Sequence, residues 1–175
     1  MWTGGTSRVH NQAMAATTTL ERIISGGQTG VDRGALDAAI ARGVPHGGWC
    51  PEGRLAEDGR IPDHYAVTEN GSPDYAVRTE QNVLVSDGTL VLCVGKPSGG
   101  TALTCYLAGQ HRKPLLVVDL AANEDPRGVV DWLAAHSIRV LNVAGPREST
   151  HPGIQTAAAD FIVRMLDAQE KQDAR

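Results

Sequence analysis

The sequence predicts an α/β domain in which a mostly parallel sheet is covered by helices on both faces. Three observations lead there. Short apolar runs rich in Val, Ile and Leu alternate along the chain with segments whose apolar residues recur at helical spacing, the pattern of repeated strand–helix units. The clearest run, residues 89–94, is apolar without a polar alternation, as a strand buried on both sides must be. Three of the runs end in glycine-rich or Gly-Pro turns that lead into helical segments, as tight strand-to-helix connections do.

Totals set the outer limits. A chain of 175 residues, 41% apolar and 21% charged, suffices for one domain whose core needs neither disulfides nor structural metal. A net charge of −4 lacks the basic excess of a non-specific nucleic-acid binder. With 4% aromatic residues, a base-stacking platform for single strands is not expected either. No apolar run approaches the roughly 20 residues that span a bilayer. Three cysteines, Cys50, Cys93 and Cys105, stand far apart without a Cys-x-x-Cys pair. A reduced, cytoplasmic setting is the expectation.

Residues 1–19, rich in Thr, Gly and Ser, have no apolar period and are expected to be a disordered extension, with Met14 an alternative start. The folded part is expected over 20–168. Residues 21–25 form the first strand. A helix follows over 30–42 with Leu36, Ala39 and Ile40 on its apolar face, and Gly43 closes it in the left-handed conformation. Residues 47–54 read as a short strand and loop, 56–59 as a turn, and 65–68 as another short strand. Ser72-Pro73 marks a helix start. That helix reaches about residue 86, although 83–85 suits a strand equally well.

Strand 89–94 comes next, then a helix to about residue 111 with Leu103 and Leu107 facing inward. Residues 114–118 are a strand. Asp125-Pro126 caps a helix with Val129, Val130, Leu133 and Ala134 on one face. The last strand covers 138–143. The closing helix carries Ile154, Ala158, Phe161, Ile162, Met165 and Leu166 at helical spacing. The polar end, 169–175, is expected to fray.

Chemistry concentrates in three turns: Ser25-Gly26-Gly27-Gln28-Thr29-Gly30, Pro97-Ser98-Gly99-Gly100-Thr101 and Gly145-Pro146-Arg147-Glu148-Ser149. A helix start has unpaired N–H groups and a partial positive charge. Glycines let backbone approach a ligand, so such turns suit phosphate or another oxyanion. In a parallel sheet all strand C-termini share one edge, where ligands bind. Arg147 adds a guanidinium for a charge-assisted contact, and Ser98, Thr101, Thr29 and Ser149 add hydroxyls. Gly27→Val is expected to block backbone approach while leaving the protein folded.

Neither common nucleotide fingerprint fits. The first position of a Gly-x-Gly-x-x-Gly motif is Ser25, and no Gly-Lys-Ser/Thr follows the glycines. Histidine spacing offers no zinc site, and no metal ligands are assigned.

Five stretches in order resemble one family: the first turn through Asp32, Arg78-Thr79-Glu80-Gln81-Asn82-Val83, Ser86-Asp87-Gly88-Thr89-Leu90, the second turn, and Asn142 through Ser149. Together they resemble the molybdenum carrier family, the circularly permuted YpsA branch of the SLOG superfamily, related to LOG (lysine-decarboxylase-like) proteins. The resemblance covers about residues 23–168. It implies a Rossmann-like domain that binds a phosphate-bearing nucleotide or a pterin such as the molybdenum cofactor, and a homo-oligomer. The expected ligand-binding residues are Gly26, Gly27, Gln28, Thr29, Gly30, Asp32, Asn82, Asp87, Pro97, Ser98, Gly99, Gly100, Thr101, Gly145, Arg147, Glu148 and Ser149.

The alternative is a nucleoside-monophosphate phosphoribohydrolase of the LOG type. Those enzymes carry a Glu in the second motif where this chain has Thr104, and glycosidic cleavage needs a carboxylate. Glu148, Asp32 or Glu80 are the substitutes, with Glu148 the foremost candidate.

Overall fold

The computed structural model describes residues 19–174. Among these residues there are nine strands: β1 (Arg22–Ile24), β2 (His46–Gly47), β3 (Trp49–Cys50), β4 (Leu55–Ala56), β5 (Gly59–Arg60), β6 (Thr68–Glu69), β7 (Gly88–Cys93), β8 (Leu115–Asp119) and β9 (Val140–Ala144). Five α-helices accompany them among the described residues: α1 (Val31–Ala41), α2 (Tyr75–Val85), α3 (Gly99–Gln110), α4 (Arg127–Ala135) and α5 (Ile154–Asp173). The main sheet has the order β2-β1-β9-β7-β8, and every pairing in it is parallel. Helices α1, α4 and α5 pack together, as do α2 and α3. The expected parallel sheet with helices on both faces is what forms.

β7 reads as buried and is: all six of its residues are inaccessible. Leu90 and Leu92 join Val31, Ala35, Phe161, Ile162 and Met165 in the main core. Val83, Leu107 and Ala108 form a smaller cluster on the α2–α3 side.

Several boundaries and faces differ from expectation, each for a local reason. Ile40 is 43% exposed. α1 turns Val31, Ala35, Ala38 and the expected Ala39 to the main core and the expected Leu36 to a separate cluster with Cys50, Ile61, Tyr65 and Val67. α2 begins after Asp74, whose carboxylate accepts the Ala76 N–H at 2.8 Å, so the side-chain cap and not Pro73 sets the start. Residues 83–85 are helical.

The end expected to fray is helical through Asp173. Gln169 is buried, Arg42 pairs with Asp167 at 2.8 Å, and Thr19 donates to Asp173 at 3.4 Å. These ties hold the last turns against the body. The extension expected over 1–19 lies outside the described residues except for Thr19.

Residues 46–69 have little regular structure because a side chain replaces the ladder. Arg54 donates to the carbonyls of Ile61, Val67, Pro62 and Tyr65 at 2.7–3.2 Å. Tyr65 donates to Asp37 at 2.7 Å, and burial first, then that carboxylate, raises its phenol well above the usual range.

Candidate functional site

β1, β9 and β7 are consecutive in the sheet, so the three turns that follow or precede their helices emerge side by side. They enclose a cleft of about 370 Å³, at the low end of small-molecule sites. Of the expected residues, Gly26, Gln28, Asp32, Asn82, Ser98, Gly99, Gly100, Thr101, Gly145, Arg147 and Ser149 line it. Gly27, Thr29, Gly30, Asp87, Pro97 and Glu148 do not.

The first turn is largely closed on itself. The Gln28 N–H donates to Asp32 at 3.2 Å, the Thr29 N–H to the Gln28 side chain at 3.1 Å, and the Val31 N–H to the Pro146 carbonyl at 3.2 Å. An acid already sits in the first turn of α1, where it complements the helix dipole. A Cβ on Gly26 would fall 1.2 Å from Nη1 of Arg78; that glycine makes room for the guanidinium. The missing Cβ of Gly27 faces Ile61 at 3.1 Å, with φ +75°. Gly27→Val is therefore expected to strain the fold itself, where the sequence alone suggested a protein that stays folded and loses its ligand.

The second turn is open. Gly99 and Gly100 begin α3 at exposed positions with nothing within 4 Å of their would-be Cβ atoms. Their N–H groups precede the first intrahelical acceptors, so they are available to a ligand. Thr101 and Ala102 donate to the Ser98 carbonyl at 3.1 and 3.2 Å. Thr104 spends its hydroxyl on the Gly100 carbonyl at 3.0 Å.

In the third turn the guanidinium of Arg147 lies over the Tyr75 ring at 5.3 Å. Glu148 turns away from the cleft: its carboxylate accepts the Gly153 N–H and, at 2.9 Å, the Gln155 N–H, which caps α5. It is not placed as a catalytic group. Glu80 is also removed, contacting His111 at 2.7 Å. Asp87 precedes β7 and accepts the Arg139 and Val140 N–H groups at 3.0 and 2.7 Å. It lies at the strand's N-terminal edge, away from the ligand edge. An acid before an apolar run, not after it, is the sequence signal for that. Asn82 touches the cleft, yet both amide atoms hold the Trp49 backbone at 2.9 Å.

Tyr75, Thr104 and Asn142, and Arg78, which the sequence offers beside Asn82 as a residue that could face the cleft, stand outside the expected ligand-binding set, and all four line the cleft. Arg78 carried a signal, standing one helical turn before Asn82. Its Nη1 pairs with Asp32 at 3.2 Å, with side-chain exposures of 13% and 7%. Burial pushes the Asp32 carboxyl above its usual range, and the charge and hydrogen bond of Arg78 pull it back. Glu57 had no signal in sequence. From the β4–β5 hairpin it accepts the Thr29 and Ser149 hydroxyls and the Ser149 N–H at 3.2 Å. Two hydroxyls expected to face a ligand are thus tied to the protein's own carboxylate.

Hydrogen bonds from Ser149 and then Thr29 hold the Glu57 carboxyl below the usual range. A depressed folded-state pKa contributes stability above the unfolded value, about 4.3, and loses it as pH falls through the folded one. The hairpin should therefore stay docked at pH 5 and loosen in stronger acid. The Ser149 amide shift followed by NMR against pH checks this: a midpoint at or above that of a free Glu would contradict the tie.

Among the described residues no group of three or more His, Cys, Asp or Glu is arranged to hold a metal. Burial pushes the Cys105 thiol up, which disfavours the thiolate a soft metal needs. No described helix is long and apolar enough to cross a membrane.

No curated protein matches this chain. A crystal structure named "Putative molybdenum carrier protein", from Syntrophus aciditrophicus SB, is similar at 47% identity and a TM-score of 0.82, covering 85% of this chain and 96% of that one. The model of the circularly permutated YpsA SLOG family matches residues 23–166. As that match spans most of the chain and the solved relative shares nearly half of its residues, the chain belongs to the circularly permutated YpsA SLOG family.

Proposed function

We propose that the cleft binds a phosphate-bearing small molecule, nucleotide-like or a pterin such as the molybdenum cofactor, and holds it without turnover. One observation carries this reading: the start of α3, with the accessible Gly99 and Gly100 amides, opens into the same cleft as Arg78 and Arg147. A helix dipole and the exposed guanidinium of Arg147 favour an anion there, while Arg78 offsets the charge of Asp32 in the same cleft. The relative's name supports a molybdenum-bearing cargo. As no described cluster offers metal ligands, the metal would travel on its own organic ligand while the protein grips the phosphate. The reading includes a cytoplasmic homo-oligomer; light scattering tests the assembly.

Against turnover, Asp32 is the one carboxylate residue among those lining the cleft, and Arg78 and the Gln28 N–H already engage it. The phosphoribohydrolase reading keeps one supporting observation, a buried carboxyl group, Asp32, lining the cleft, since glycosidic cleavage needs a carboxylate.

Two measurements separate the readings. AMP or pyrophosphate at millimolar concentration should raise the melting temperature by a few degrees, as saturation near 100 times Kd adds about 2.7 kcal/mol. AMP incubated with the protein should release no adenine by chromatography. Sustained release that disappears in Asp32→Asn would overturn the carrier reading in favour of the enzyme.

A further inference from the structure

We infer that Tyr75 is the stacking wall for a planar heterocycle on the bound phosphate compound, and that Arg147 leaves the ring for the phosphate when the ligand arrives. This rests on the phosphate-site reading above and extends it to the other half of the ligand.

Aromatic residues are scarce in this chain, at 4%, and Tyr75 is the one aromatic among the residues lining the cleft. It is half-buried at the first position of α2, held there by the Asp74 cap. Leu103, Val143, Ala144 and Pro146 line the same cleft and give it an apolar character that phosphate alone does not require. Flat apolar surface beside an anion receptor is what a heterocyclic phosphate presents to its host.

The two arginines over Tyr75 are not equivalent. Arg78 lies 5.7 Å from the ring centroid and is fixed by its buried contact with Asp32. Arg147 lies 5.3 Å from it, is exposed, and feels Glu57 only through space. An exposed cation–π contact is weaker than a bidentate, charge-assisted contact with phosphate. An incoming phosphate therefore draws Arg147 away. That movement uncovers the ring for a heterocycle.

Calorimetry with AMP and ribose 5-phosphate tests this, since the two share the phosphate and differ by the base. In the parent protein AMP should bind more tightly. Tyr75→Ala should weaken AMP roughly 5- to 150-fold, the range for loss of one base–aromatic stack, and leave ribose 5-phosphate within about twofold. Tyr75→Phe should retain AMP affinity, because the ring and not the hydroxyl is used. Equal weakening of both compounds, unchanged AMP binding in Tyr75→Ala, or AMP no tighter than ribose 5-phosphate in the parent would overturn the inference while the phosphate site stands. Parent protein that binds neither compound would overturn the phosphate site and this inference together.

Discussion

Asp32→Ala is expected to lower the melting temperature by roughly 6–20 °C, from about 3–5 kcal/mol lost and about 2–4 °C per kcal/mol at this chain length. The size follows from burial. Asp32 and Arg78 are 7% and 13% exposed as side chains, so removing the carboxylate leaves a guanidinium without a counter-charge in a poorly solvated place. The Gln28 N–H loses its acceptor as well. Arg78 already has one buried nitrogen, Nε, with no partner in the described structure, so little else is available to receive its charge.

The double variant Asp32→Ala/Arg78→Met should recover part of the loss, because neither charge is then stranded. Thermal unfolding followed by circular dichroism measures both. A drop below about 1 kcal/mol, the range of an exposed pair, would mean that water reaches this contact and that the cleft floor is not built as described.

Gly30→Ala should cost about 2–5 kcal/mol and also abolish ligand-induced stabilisation. Its Cβ would lie 2.3 Å from the Pro146 carbonyl oxygen and 2.7 Å from the Glu148 nitrogen, at φ +81°. Both neighbours are backbone, so no side chain can swing aside. Left-handed backbone adds about 1–2 kcal/mol and overpacking about 1–3. Relief requires the third turn to move off the first, and Arg147 moves with it.

Gly100→Ala is the control. Its Cβ meets nothing within 4 Å, and alanine is the better helix former by about 1 kcal/mol. Stability should hold or rise, while a ligand seated on the α3 amides would be crowded. Equal melting temperatures for Gly30→Ala and the parent would show that the two turns are not pressed together.

How far the site could be read in advance depends on which residues are asked about. The openness of the second turn was legible because it is local: two exposed glycines at a helix start with nothing near their would-be Cβ atoms. The first turn has the same signature and a different role. Gly26 yields space to Arg78, Gly27 faces Ile61, and Gly30 meets the third turn. Each of those partners is remote in sequence, and a glycine motif carries no mark that distinguishes approach by a ligand from approach by the protein itself. Glu148 failed as a cleft residue for a similar reason. Its position beside Arg147 suggested shared duty, yet the start of α5 claimed its carboxylate.

What the sequence determined by itself was the succession of strands and helices, the burial of β7, and the chemistry available in each turn. Those properties follow from periodicity and turn composition, which act over a few residues. Only the tertiary structure decided that the turns share a cleft. That depends on β9 entering between β1 and β7, so that Arg22 pairs with Val140 and Thr89 with Asn142. Apolar strands of similar character can pair in several orders, and the choice is made by the packing of helices from opposite ends of the chain, α1 against α5, a contact that no local pattern encodes.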